Sequence, residues 1–257
     1  MPRSGTQSLE RGAALLRELA ARGTVGWRLS DLAERCDLDK GTVHRIMAFL
    51  VRERLARQRP GDRRYVPGPL LFELSLALPG HAAFLVACAP HLTRVATLGG
   101  VAFVCLRSGA DFVCAAHAGE SPLKALAHEV GLRRPLVVSA GGVAMLLALP
   151  PDEARALIAE NMKRVQKSGE VRVKAVERML RRSQAQGYAV HLSDIVPRVN
   201  TYGVAIRDAR GGPFASVSIA GASEDFPQTR APLVLAALEE AAQSIAGAAA
   251  GLLESQS

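Results

Sequence analysis

Residues 28–67, RLSDLAERCDLDKGTVHRIMAFLVRERLARQRPGDRRYVP, carry two short amphipathic helical patterns that run directly into a basic hairpin, and few folds accommodate that order. Ser30 reads as the N-cap of the first pattern, whose Leu32, Ala33 and Cys36 fall at helical spacing. Leu38 then follows a turn made without Gly or Pro. Asp39 reads as a second N-cap, and Val43, Ile46, Met47 and Leu50 recur at i, i+3, i+4 and i+7, which sets one apolar stripe against the first helix. The other face carries Lys40, Gly41, Thr42, His44, Arg45 and Arg52. The positive end of the helix dipole adds to their charge, and such a helix suits the major groove of DNA.

Leu55 to Gln58 and Arg64 to Val66 read as two strands joined by Arg59-Pro60-Gly61-Asp62-Arg63, a turn signal. From Asp39 to Pro67, eight Lys or Arg oppose three Asp or Glu, a local net charge of +5. Phosphate neutralisation is the natural use of that density. A basic amphipathic helix pair is also compatible with a merely solvated face, but the order helix, turn, helix, basic hairpin points to a winged helix-turn-helix.

The chain's 257 residues are enough for two ordinary domains. Of the net charge of +8, residues 1–67 hold +6 and residues 68–257 only +2, so a DNA-binding module attached to a near-neutral domain is expected. No uninterrupted apolar stretch approaches a membrane span, and MPRSGTQSLERGAALL lacks the apolar core of a secretory leader, so a cytoplasmic protein with no membrane association is expected. Cys36, Cys88, Cys105 and Cys114 show no CxxC spacing, and the six histidines form no HxH or HxxxH pair. Neither disulfide nor metal nor other cofactor is predicted.

Leu9 to Ala21 predicts a first helix, with Leu9, Leu16, Leu19 and Ala20 on one side, ended by Gly23 and Gly26. After Pro67-Gly68-Pro69, Leu70, Leu71, Leu74 and Leu78 form a linker-helix stripe. A helix at Pro90 to Leu98 and a hairpin of Val101 to Leu106 with Phe112 to Ala118 come next. A strand ending near Ser139 then meets Gly141-Gly142 and a short apolar helix. Helices at Asp152 to Met162 and Val173 to Gln186 precede strands at Tyr188 to Leu192, Thr201 to Arg207 and Pro213 to Ala220, and a last helix spans Ala231 to Leu253. The predicted class is α+β, with domains 1–67 (winged helix-turn-helix), 68–79 (linker helix) and 80–257 (effector binding and oligomerisation on a largely antiparallel sheet).

SLERGAALLRELA, LSDLAERCDLDKGTVHRIMAFL and YVPGP, then RRPLVVSAGGVAMLLALP, QGYAVHLSDIVP and PFASVSIAGA, resemble the IclR family of bacterial transcription regulators along nearly the whole chain, residues 8–250. The resemblance implies a winged helix-turn-helix, a linker helix and a GAF-like or PAS-like effector domain, in homodimers often paired into homotetramers. It also implies a pocket for a small organic acid, which in this chain falls on Ser139, Ala140 and Gly141 of the loop and on His191, Thr201, Ser218 and Ala220 of the sheet. The family's histidine before the loop is Val137 here, the lysine after it Val143, and one of two serines Ala220, which makes the pocket less polar. His191 stands at a usually acidic position, as a neutral donor or, protonated, as a carboxylate's partner.

The expected function is a ligand-responsive regulator of double-stranded operator DNA, not an enzyme. Lys40, Thr42 and His44 are the base-reading candidates; Arg45 and the wing residues Arg57, Arg59, Arg63 and Arg64 are assigned to phosphate or the minor groove. Gly41 offers no side chain to read with. Two other readings compete. The C-terminal domain only oligomerises, or Cys105 or Cys114 acts as a nucleophile with His117 as base, though strand parity sets residues 114 and 117 on opposite faces unless a bulge intervenes.

Overall fold

A computed structural model describes residues 6–77, 79–120 and 130–253, so Leu78 of the linker stripe lies outside the described residues. The chain divides into two compact units, residues 1–81 with 131–133, and residues 82–130 with 134–257.

In the first unit α1 (Gln7–Arg22), α2 (Leu29–Cys36) and α3 (Lys40–Arg52) pack around Leu15, Leu19, Leu32, Val43, Met47 and Leu50. The buried side of α1 is centred on Leu15 and Leu19; Leu9, in the first turn, is exposed, as is Ala20. Ser30 is not the N-cap of α2. The helix starts two residues earlier, at Leu29, Arg28 takes the extended cap conformation, and the Ser30 hydroxyl bonds Asp31 instead. Asp37 makes the turn without glycine by adopting the left-handed conformation, which Asp tolerates better than most residues. Asp39 caps α3, accepting the Thr42 N–H at 2.8 Å.

The wing pairs β1 (Ala56–Gln58) with β2 (Tyr65–Pro67), Arg57 opposite Val66. Trp27 adds a bridge to Tyr65, donates its indole N–H to the Glu18 carbonyl at 2.7 Å, and lies under the Arg22 guanidinium. The linker helix α4 (Pro69–Ser75) buries no residue within the described structure; Phe72, Leu74 and Leu76 are exposed.

The second unit is built on a six-stranded sheet in the order β5-β4-β3-β8-β7-β6. Its strands are β3 (Val101–Ser108), β4 (Asp111–Ala118), β5 (Arg133–Pro135), β6 (Ala189–Leu192), β7 (Val199–Arg207) and β8 (Pro213–Ala222). Alternation along the strands divides the side chains between two faces. Ala102, Val104, Val190, Tyr202, Val217 and Ile219 enter the main core with α5 (Pro79–Ala96) and α9 (Ala231–Leu253). Leu238, Ala242, Ile245 and Ala249 supply the α9 side, at the predicted spacing. The other face receives α6 (Ala140–Ala148), with α7 (Pro151–Gln166) and α8 (Glu170–Gln186) beyond it.

Two local expectations are corrected. The helix expected from Pro90 begins at Pro79 and carries Pro90 in its interior; both Pro90 and Val86, whose carbonyl loses its partner, face solvent, where water replaces the missing bond. The strand expected up to Ser139 stops at Pro135, and Leu136–Val138 form a 3₁₀ turn. Buried Asn161 explains it: its amide oxygen accepts the Val137 N–H at 3.1 Å, and its amide nitrogen donates to the Ala110 carbonyl at 2.9 Å. A side chain thus replaces a sheet ladder.

Candidate functional site

On α3 the exposed face presents Lys40, Gly41, His44, Arg45, Ala48 and Phe49. Thr42 is turned inward. Its N–H is held by Asp39, and its hydroxyl accepts from Arg45 at 3.4 Å. The Thr42 bonds also hold the Asp39 carboxyl below its ordinary value, with Arg45 adding a smaller pull. The wing arginines divide in two. Arg59 donates to the carbonyls of Thr24 (2.8 Å) and Val25 (3.1 Å) and pairs with Asp62, while Arg64 donates to the Gly26 carbonyl at 3.2 Å. These two tie the wing to the α1–α2 connection. Arg57 and Arg63 are exposed, with no side-chain partner among the described residues, Arg63 at the wing tip with φ +55°. Ala48 was not singled out by sequence reasoning, because a lone alanine on a helix carries no charge or motif.

In the second unit, Ser139, Ala140, Gly141, His191, Thr201, Ser218 and Ala220 all line one cavity of about 70 Å³. The sheet register brings the strand members together, His191 opposite Thr201, Thr201 opposite Ala220 and Ser218 opposite Phe103, and the start of α6 supplies Ser139, Ala140 and Gly141. Phe103, Cys105, Phe112, Val138, Val196 and Val199 complete the wall. No periodicity marks this second set, since it is selected by strand pairing across the sheet.

Ser139 caps α6, its hydroxyl accepting the Gly142 N–H at 3.0 Å. The first turn of α6 sits directly on β7, where a Cβ on Gly203 would lie 2.8 Å from the Ala140 carbonyl group and the Gly141 nitrogen. Gly141 meets the sheet in the same way, its absent Cβ leaving room for Ser216 Oγ. Val137 and Val143, where the family resemblance placed a histidine and a lysine, are buried.

His191 is buried, and its Nε2 accepts the N–H groups of Ile195 (2.8 Å) and Val196 (3.2 Å). A ring nitrogen that accepts carries no proton, so the neutral imidazole bears its hydrogen on Nδ1. That Nδ1 is buried without a hydrogen-bond partner, as is Ser216 Oγ on the same sheet face. Burial pushes the imidazole below its ordinary value; Asp194 and the Val199 carbonyl oppose this, and the positive fields of Arg182 and Arg172 reinforce it. Arg172 is itself lowered by burial and by the neighbouring charge of Arg134. Asp194 is held by Arg182 (2.5 and 3.1 Å) and the Leu192 N–H; burial raises its value, but these partners bring it below the usual carboxylate range. The turn bearing Val196 is therefore anchored by both His191 and Asp194.

The exception to the parity argument, a bulge, is present in the structure. The pairing of β3 with β4 shifts between Val104 and Cys105, and this bulge restores Cys114 and His117 to one sheet face. The Cys114 thiol is nevertheless engaged with Cys105 and the Ala116 carbonyl, and the exposed His117 ring packs near Phe103. Among the described residues no group of three or more His, Cys, Asp or Glu is placed to hold a metal. No helix of the described residues is long and apolar enough to cross a membrane.

A winged helix-turn-helix coupled in one chain to an α+β domain with a small internal cavity defines a DNA-binding transcription regulator that responds to a ligand. The chain belongs to the IclR family: the model of the bacterial transcriptional regulator IclR C-terminal region matches residues 85–247, and that of the IclR helix-turn-helix domain residues 8–60. Among curated relatives, the HTH-type transcriptional repressor AllR of Salmonella typhi is 26% identical over 228 residues, 88% of this chain and 84% of AllR. Among solved structures, an IclR family regulator from Brucella abortus is similar with a TM-score of 0.74 at 21% identity, over 96% of this chain and 94% of that one. An IclR homologue from Microbacterium hydrocarbonoxydans complexed with 4-hydroxybenzoate has a TM-score of 0.64 at 20% identity, over 94% and 98% of the two chains.

Proposed function

We propose that this regulator binds a short-chain organic acid in the cavity bounded by α6 and the β6–β7–β8 face, and that the ligand alters the grip of its winged helix on operator DNA. The observation that carries this reading is buried His191 on the cavity's wall beside Thr201, Ser218 and the Ser139-capped start of α6, its Nδ1 making no well-formed hydrogen bond. An orphaned buried donor costs free energy until an acceptor reaches it. A carboxylate oxygen supplies that acceptor. At about 70 Å³ the cavity is less than half the roughly 150 Å³ of an apolar cavity that admits benzene. That favours an acid of few heavy atoms over an aromatic ring like the 4-hydroxybenzoate in the Microbacterium homologue.

On the DNA side, His44 and Lys40 are assigned to base edges with Ala48 in apolar contact, and Arg45, Arg57 and Arg63 to phosphate. Thr42 shapes the helix start, and Arg59 and Arg64 present the wing. The protein acts in the cytoplasm as a homodimer on a two-fold operator, or as a homotetramer that pairs two such dimers. The exposed Phe72, Leu74 and Leu76 support self-association through the linker region.

The test is a thermal-denaturation panel on the full chain. A two- to four-carbon carboxylate is expected to raise Tm, by the equivalent of about 2.7 kcal/mol at a hundredfold excess over Kd, and His191→Leu to abolish the rise while folding. If no carboxylate shifts Tm, the oligomerisation-only reading replaces this one.

A further inference from the structure

The cavity face of the sheet carries a second chemical feature that effector binding does not use. The bulge in β4 aligns Cys105 directly opposite Cys114; without it, Cys105 would face Ala115. Directly opposed residues in an antiparallel pair have Cα atoms about 4.5–5.5 Å apart, inside the range of about 4.4–6.8 Å that a disulfide spans. Both side chains project to the same face, where each thiol shifts the other's proton affinity. Cys105 lines the 70 Å³ cavity, while Cys114 lies behind it, fully buried. Both are free thiols, as are the distant Cys36 and Cys88.

We propose that Cys105 and Cys114 form an oxidation-responsive dithiol that closes to an intramolecular disulfide on the cavity wall, with a small hydroperoxide as the oxidant. Two S–H bonds and the peroxide O–O bond break, and one S–S bond forms. The two sulfurs each lose one electron, and the two oxygens leave with the thiol protons as water and an alcohol, or as two waters when the oxidant is hydrogen peroxide. The cavity is the route by which a molecule of that size reaches Cys105. Closure joins β3 and β4 at the bulge beside Phe103 and Phe112, so the ligand cavity and the redox state share one wall. The Cys105–Cys114 contact raises the cavity-lining Cys105 well above the ordinary thiol value and lowers Cys114, so Cys114 supplies the thiolate and Cys105 the proton that leaves with the peroxide oxygen.

The reduced full chain is treated with hydrogen peroxide, quenched in acid, alkylated under denaturing conditions and digested with trypsin. Cleavage after Arg107 separates the two cysteines into peptides 95–107 and 108–124. The expected result is loss of both alkylated peptides and appearance of their linked pair, reversed by dithiothreitol, with Cys36 and Cys88 still alkylated. Retention of both alkylated peptides, stable sulfinic acid at Cys105, or links only to Cys36, Cys88 or a second chain would overturn the proposal. Because the readout is covalent, a failure here is distinguishable from a failure of the carboxylate panel.

Discussion

At the scale of single residues, His191 determines what the cavity can recognise. Two backbone N–H groups on Nε2 force the proton onto Nδ1, and burial keeps the ring neutral. A histidine whose folded value lies below its unfolded value of about 6.5 contributes stability that is fully present above that pH. It is lost as pH falls through the folded value, because the unfolded chain binds the extra proton first. The effector domain is therefore expected to lose Tm progressively below about pH 6.5, and His191→Gln to flatten the profile over that interval. An unchanged profile in the variant would assign the loss to other groups. Asp194, also lowered, acts in a separate window below the usual carboxylate range. Gly203 is the second decisive position. Gly203→Ala drives a methyl into the first turn of α6, and a loss of about 1–3 kcal/mol in denaturant unfolding is expected. The sequence marked His191 as a candidate; it did not reveal the tautomer, which depends on loop atoms four and five residues further along.

At the scale of elements, the recognition helix and wing make a sharper statement about DNA than a count of basic residues does. Arg45→Ala and Arg63→Ala are each expected to weaken duplex binding and to reduce the salt slope by about one. Arg59→Ala is expected to lower the Tm of the winged domain, since its donors hold Thr24, Val25 and Asp62. A salt slope for Arg59→Ala matching that of Arg63→Ala would refute this division. Amphipathic elements were legible in advance: α3 from its i, i+3, i+4, i+7 stripe with an Asp cap, and α9 from its alanine-rich face, with bounds Ala231–Leu253. The first half of α5, the 3₁₀ turn at Leu136–Val138 and the β4 bulge were not. Each depends on a distant partner or on solvent: the Pro90 face on water, the turn on Asn161, the bulge on β3.

At the scale of the whole molecule, the exposed apolar residues of the linker region bear on assembly. Phe72→Glu with Leu76→Glu is expected to shift the full chain toward smaller species in sedimentation velocity and to weaken binding to a two-fold operator far more than to a half-site; an unchanged sedimentation coefficient would place self-association elsewhere. The sequence by itself determined the local physics. Hydrophobic period, caps and charge asymmetry specified a basic winged helix-turn-helix ahead of a mixed α+β domain, because those signals reside in neighbours a few residues apart. Only the tertiary structure decided which side chains meet. Strand register carried His191, Thr201, Ser218 and Ala220 to one cavity and aligned Cys105 with Cys114, while packing set the Ser139 cap of α6 against them, buried His191, and directed Arg59 inward and Arg63 outward. Side chains some eighty residues apart in the chain become neighbours through backbone pairing across the sheet, and a shift of one residue in that pairing would send each to the other face.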